Sequence, residues 1–109
     1  MSVLSWLSYD GATAYSAAKA AEWSLTNGVR LELASQGTTV TGLHLASSDT
    51  DMMAGFDIEK NDPADVVSTA LDGLEADAIE ILADENTVHV KAALSADPSV
   101  LYPQAVPAA

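Results

Sequence analysis

The sequence predicts an α/β fold, a parallel sheet covered by helices. Three observations lead there. Segments of helical periodicity alternate with short β-branched or apolar runs, in the order helix, strand, helix, strand, helix. Strands joined through helices pair in parallel, by right-handed crossovers. Hydrophobic residues make up 49% of the 109, enough to build one core.

Each element has a local reason. Residues 1–7 are short and apolar and read as the end of a strand. "SYDGAT" is turn chemistry around Asp10-Gly11. Residues 14–35 read as a long helix, rich in Ala, Leu and Glu and free of proline. Tyr15, Lys19, Glu22, Thr26 and Arg30 recur at steps of three or four as a polar stripe. Ala18, Ala21, Leu25, Val29 and Leu33 trace an apolar one. Gly37 ends the helix.

"TTVTGLHL" is β-branched and apolar, a buried strand. "ASSDTDMMAGFDIEKN" is small and polar, a loop or lid. The next helix has a clear start. Asp62 caps, Pro63 suits the first position, and Asp65 stands where a capping box wants an acid. Val66, Val67, Ala70, Leu71 and Leu74 form its apolar face. "AIEILA" reads as a second short strand and "ENTVHVKAALSAD" as a final helix. Residues 97–109 hold three prolines and read as a loose tail.

Two strands and a fragment of a third make a small sheet, and an unpaired apolar edge invites association. Residues 1–96 therefore read as the second half of a larger α/β domain, and the folded chain is expected to self-associate.

Charge narrows the partners. Sixteen acidic residues face four basic ones, a net of −12. Such a surface repels phosphate backbones and anionic lipid, which argues against nucleic-acid and membrane-surface binding. There is no cysteine, hence no disulfide framework. No stretch approaches the roughly 18 apolar residues of a membrane span. No positive side chain precedes the short N-terminal apolar run, so a signal peptide is a poor reading and a cytoplasmic location is expected.

The chemistry centres on "GATAYSAAKAAEWS". A free tyrosine has a pKa near ~10, so it exchanges protons near neutral pH only if its phenolate is stabilised. Lys19, four residues after Tyr15, lies on the same helix face and can supply that positive charge. A nearby hydroxyl could then hold and polarise a carbonyl. Alone, the pair is also compatible with an ordinary solvated helix face.

"SVLSWLSYDGATAYSAAKAA" as a whole resembles the active-site segment of short-chain dehydrogenases/reductases. That family places a serine thirteen positions before the tyrosine, and here the position is Ser2, not the nearer Ser5 or Ser8. "TTVTGLHLASSDTDMM" resembles the family's next strand and loop, with Thr50 at its threonine position; Leu45 and Ala46 depart from its usual Pro-Gly. "DPADVVSTALDGLEAD" and "AIEILAD" resemble its late helix and strand. The resemblance covers residues 2–94.

It implies a partial Rossmann-like, doubly wound parallel sheet, the C-terminal half. It implies hydride transfer between NAD(H) or NADP(H) and an alcohol or carbonyl carbon of a small molecule. Tyr15 would pass the proton. Lys19 would stabilise the phenolate and hold the nicotinamide ribose. Ser2 would hydrogen-bond the substrate oxygen. Thr50 and the backbone from Leu45 to Ser47 would touch the nicotinamide, and residues 52–56 would line the substrate pocket. A homo-oligomer is the family's habit.

The six glycines contain no G-x-G-x-x-G, so the pyrophosphate-binding half of such a domain is not in this sequence. The isolated chain is expected not to turn over, and the choice between NAD and NADP is set by residues of that other half. The alternative is a non-catalytic module for oligomerisation, or for association with a full-length relative.

Other sites have less support. Asp49, Asp51 and Asp57 fail as a calcium loop, because Met53 and Lys60 fall at ligand positions. His44 and His89 lack a third donor at metal-ligand spacing. Trp6 and Trp23 read as packing residues.

Overall fold

The computed structural model describes residues 1–46 and 61–107. Helix α1 (Thr13–Ala34) is followed by strand β1 (Gly42–His44), helix α2 (Pro63–Glu75), strand β2 (Glu80–Leu82) and helix α3 (Glu85–Ala93). Short 3₁₀ turns stand at Val3–Ser5 and Pro103–Ala105. The predicted alternation is present, with a small parallel sheet at its centre.

β1 and β2 pair in parallel, Gly42 with Glu80, Leu43 with Ile81 and His44 with Leu82. On the far side of β1, Ser2 forms a parallel bridge with Leu45. The Leu45 N–H donates to the Met1 carbonyl at 3.1 Å, and the Val3 N–H donates to the Leu45 carbonyl at 2.9 Å. The Met1 amine donates to the Leu43 carbonyl. The first residues thus run as a third line beside β1, but only for a bridge's length. The Ser2 hydroxyl oxygen then accepts the Leu4 N–H at 3.0 Å, and the Ser2 carbonyl accepts the Ser5 N–H at 3.0 Å. These local bonds wind the chain into the 3₁₀ turn where the sequence suggested more strand.

The strands are shorter than expected for a similar reason. Arg30 of α1 donates from Nε to the Val40 carbonyl at 2.9 Å and from Nη2 to the Ile79 carbonyl at 2.8 Å. The Thr41 hydroxyl donates to the Ala78 carbonyl at 3.0 Å. Side chains therefore take the Val40 and Ala78 carbonyls on the two approaches to the ladder, while the Ile79 carbonyl still accepts the cross-strand Gly42 N–H at 2.9 Å.

Two glycines frame α1. Gly11 takes a φ of 87° in the turn that the Ala12 N–H closes onto the Tyr9 carbonyl at 3.0 Å. Gly37 takes a φ of 73° just beyond the helix, where the Thr38 N–H reaches back to the Leu33 carbonyl at 3.3 Å. Both need a left-handed backbone that glycine adopts without steric cost.

α1 turns an unexpected face inward. Ser16 is buried, and Lys19, Trp23, Thr26 and Arg30 are half-buried. Ala18, Ala21 and Leu25 of the apolar stripe are exposed, while Val29 and Leu33 are half-buried. The reason is the width of the inward groups: Trp23 and Arg30 bridge to the sheet, which small alanines could not do.

α2 begins as predicted. The Asp62 carboxylate accepts the Ala64 N–H at 2.9 Å, with Pro63 at the first position. It buries Val66 and lays Gly73 onto Ile81; a Cβ at Gly73 would stand 2.6 Å from Ile81 Cγ1. Val67, Leu71 and Leu74 remain more than half exposed.

The core is Val3, Trp6 and Val90, with Leu4, Leu7, Trp23, Ala46, Leu82 and Leu101 packed against it. A fully buried apolar side chain of this size contributes roughly 1.5–3 kcal/mol. Leu101 brings the C-terminal segment into this core, and the Tyr102 phenol oxygen accepts the Ser8 N–H at 2.9 Å. The tail up to the second 3₁₀ turn is tied down by these contacts.

One polar cluster lies inside. His44 is fully buried and stacks on Trp6, ring centroids 4.2 Å apart. Trp6 meets Trp23 edge-on at 5.6 Å. Trp23 Nε1 donates to Glu80 Oε2 at 2.9 Å, and Lys91 pairs with Glu80 Oε1. Lys91 Nζ also stands 4.8 Å from the Trp6 ring centre and 5.3 Å from that of Trp23. Burial by itself would raise the Glu80 pKa, but the Lys91 and Trp23 hydrogen bonds overcome it and hold the carboxyl below its ordinary value.

Candidate active site

Tyr15 sits in the first turn of α1 and is 52% exposed. Its placement follows from the turn before it, where Gly11 reverses the chain and Ala12 enters the helix without a side-chain cap. One helical turn on, Lys19 Nζ lies 5.4 Å from the Tyr15 ring centre. This is the contact that a spacing of four positions should give. Lys19 also leans on Glu22 at 3.5 Å, the limit of a hydrogen bond, on an accessible surface. Its ammonium therefore keeps donors for a ligand.

Ser2 lies at the other end of the arrangement, beside the C-terminal end of β1. Its oxygen accepts the Leu4 N–H, which leaves the hydroxyl hydrogen free to donate. The Ser2–Leu45 bridge brings two of the sequence-predicted residues together. The 3₁₀ turn that follows Ser2 packs on α1. Ser2, Leu45 and the ends of both strands occupy the C-terminal edge of the parallel sheet, where open α/β sheets bind ligands.

Leu45 differs from the expectation in one respect. Its N–H and its carbonyl are engaged by Met1 and Val3, and the next amide, that of Ala46, donates to Asp84 Oδ2 at 2.8 Å. The backbone at this point is already committed, and Leu45 presents no free amide. Ser47, Thr50 and residues 52–56 lie outside the described residues, as do Asp49, Asp51 and Asp57.

Sequence reasoning overlooked Asp84. Its carboxylate accepts four hydrogen bonds: Thr87 N–H and Thr87 hydroxyl at 2.7 Å each on Oδ1, and on Oδ2 the Ala46 N–H and Asn61 Nδ2, the latter at 2.7 Å. Burial pushes its pKa up, but these donors, led by the Ala46 N–H, outweigh burial and hold it below the usual aspartate value. "DENT" carries a cap signal for α3. Nothing in the sequence gives the two partners from elsewhere.

Among the described residues, no helix is long and apolar enough to cross a membrane. No group of three or more His, Asp or Glu side chains among them could hold a metal ion.

No family model matches this chain, and no curated protein matches it. Its fold is similar to a solved structure, that of a short chain dehydrogenase from Burkholderia cenocepacia J2315 in complex with NADP. The TM-score is 0.85 at 27% sequence identity. The match covers 98% of this chain and 46% of the other, so the chain spans less than half the length of the protein it resembles. The α/β architecture around Ser2, Tyr15 and Lys19 is thus similar to part of a short-chain dehydrogenase fold.

Proposed function

We propose that this chain carries the proton-transfer half of an NAD(P)(H)-dependent oxidoreductase of the short-chain dehydrogenase/reductase type, acting on a small alcohol or carbonyl compound. The observation that carries the reading is the Tyr15–Lys19 contact on an accessible helix face, within a fold similar to an NADP-bound short chain dehydrogenase.

The residues fit a nicotinamide cofactor in hydrogen-bonding capacity. Lys19 has donors to spare for ribose hydroxyls, and its ammonium stands one helical turn from Tyr15, 5.4 Å from the ring centre. Ser2 can donate to a substrate oxygen while it still accepts from Leu4. Leu45 gives an apolar flank, with Ser47 and Thr50 the further nicotinamide contacts. When bound, the cofactor supplies or accepts the hydride. In the reducing direction Tyr15 gives its proton to the substrate oxygen that Ser2 holds, and regains one from water at its exposed edge. The oxidising direction runs the same proton back. The 109-residue chain has no glycine-rich pyrophosphate turn and does not turn over alone.

Titration of NADPH into the purified chain, followed by nicotinamide and tryptophan fluorescence, tests this reading. Saturable binding weakened at least about tenfold in Lys19→Ala supports it. No binding, or binding indifferent to Lys19→Ala, removes the cofactor site from this chain. A Tyr15-dependent turnover of a carbonyl substrate would overturn the claim of inactivity.

A second reading rests on a different observation. Leu25 and Leu31 of α1 are 67% and 79% exposed, and α2 exposes Val67, Leu71 and Leu74 on one face. The chain would then be a non-catalytic module that forms homo-oligomers or docks on a full-length relative. Sedimentation of the wild type and of Leu25→Asp decides it: a monomer at every concentration would end this reading.

A further inference from the structure

Asp84 does more than a helix cap requires. A cap needs one oxygen near the second or third amide of its helix. Oδ1 fills that role for α3 through the Thr87 N–H. Oδ2 is turned instead to Ala46 and Asn61, residues 38 and 23 positions away along the chain. Both belong to the stems of the connection between β1 and α2.

The Ala46 stem matters most. Ala46 follows Leu45, and Leu45 is hydrogen-bonded on either side of Ser2, to Met1 and to Val3. The Ala83 N–H also donates to the His44 carbonyl at 2.9 Å, so the end of β2 and the end of β1 are bound at two successive points. A carboxylate accepting backbone N–H bonds makes charge-assisted contacts, roughly twice as strong as neutral ones. The path runs from Asp84 through Ala46 and Leu45 to Ser2, and every link is a hydrogen bond or a peptide bond.

We propose that Asp84 is a positioning residue for the candidate active site: its second carboxylate oxygen fixes the end of β1 and, through Leu45, the placement of Ser2. The inference rests on the reading of Ser2 as the residue that holds the substrate oxygen.

Asp84→Asn separates the tether from the cap. The amide oxygen still accepts from Thr87, but an NH₂ group now faces the Ala46 N–H and Asn61 Nδ2, donor against donors. Asp84→Ser is the second variant. Its single hydroxyl caps α3 and cannot reach Ala46 as well. Both are compared with the wild type by residue-resolved amide hydrogen exchange and by a pH series of amide shifts.

In the wild type the Ala46 and Thr87 amides should move together with one midpoint, below the ordinary aspartate value. In both variants Ala46, Leu45, Val3 and Leu4 should exchange at least about tenfold faster, a change of about 1.4 kcal/mol in local opening, while Val90 in α3 keeps its protection. Unchanged exchange at Ala46 and Val3 overturns the proposal. So does faster exchange confined to α3, which would make Asp84 a cap alone. NADPH titration of the same samples keeps the two ideas apart. A wild type that does not bind NADPH defeats the cofactor reading, and the exchange data still decide the tether. Where the wild type binds, Asp84→Asn should weaken NADPH by several-fold at unchanged helix content, because the tether also holds Leu45, the nicotinamide's apolar flank; unchanged affinity would overturn the positioning role.

Discussion

Moving the solution from pH 7 to pH 5 asks the fold to charge a ring that it keeps neutral. His44 has no exposed surface, and neither ring nitrogen has a hydrogen-bond partner among the described residues. Nε2 stops 3.8 Å short of Glu80 Oε2. Burial lowers the His44 pKa from 6.5 to about 4; Glu80 pulls it up, and the Met1 amine, Lys91 and Arg30 push it down. The unfolded chain takes up this proton as the pH drops through 6.5, while the folded chain refuses it until about 4. The His44 contribution is therefore complete above 6.5 and is lost as pH falls, levelling off below about 4. At 1.36 kcal/mol per pH unit, the loss between pH 7 and pH 5 is about 2 kcal/mol. Glu80 and Asp84, held low, add losses of the same sign only from their ordinary values of 4.5 and 3.8 downward. Urea unfolding read by tryptophan fluorescence at pH 7, 6 and 5 measures the slope, since Trp6 and Trp23 border the ring. His44→Phe keeps the stack on Trp6 and should remove the slope, whatever offset its extra volume adds. A flat wild type, or an equal slope in His44→Phe, would refute the reasoning.

Two further outcomes follow from the packing. Arg30→Ala should cost about 1–2 kcal/mol at pH 7 in the same urea assay, because two carbonyls at the approaches to the sheet lose a charged donor. Gly73→Val should cost about 2 kcal/mol, since any Cβ there meets Ile81 and the valine also forfeits helix propensity; a melting temperature at or above the wild type would contradict the close approach of α2 to β2.

The helices were legible because their signals are local. The long helix expected over residues 14–35 runs from Thr13 to Ala34, and Asp62-Pro63 marked the start of α2. The strands were legible in kind but not in length. Whether Val40 joins a ladder depends on Arg30, and no local pattern says that an arginine from another helix will take its carbonyl. The inward face of α1 was not legible either. Periodicity offered two stripes, and the choice was made by Trp23 reaching Glu80 and Arg30 reaching the sheet. Within the candidate site, Tyr15 and Lys19 meet because four positions on a helix must meet. Ser2 needed the family spacing, and only its bridge to Leu45 gives it a structural address. Asp84 was half visible: the cap is written in "DENT", the tether to Ala46 is not.

The register of the sheet also governs how the chain must fold. Each pairing in it joins residues about forty positions apart, Gly42 to Glu80 on one side and Ser2 to Leu45 on the other. Among the described residues no hairpin provides a short loop to close first. The search for these partners pays loop-closure entropy before any ladder bond forms, so α1 and α2 can form early while the sheet condenses late. During that interval Met1–Ser2, Leu43–Leu45 and Ile81 have no neighbours, and the concentration at which the chain is refolded will set how often they find those of another molecule.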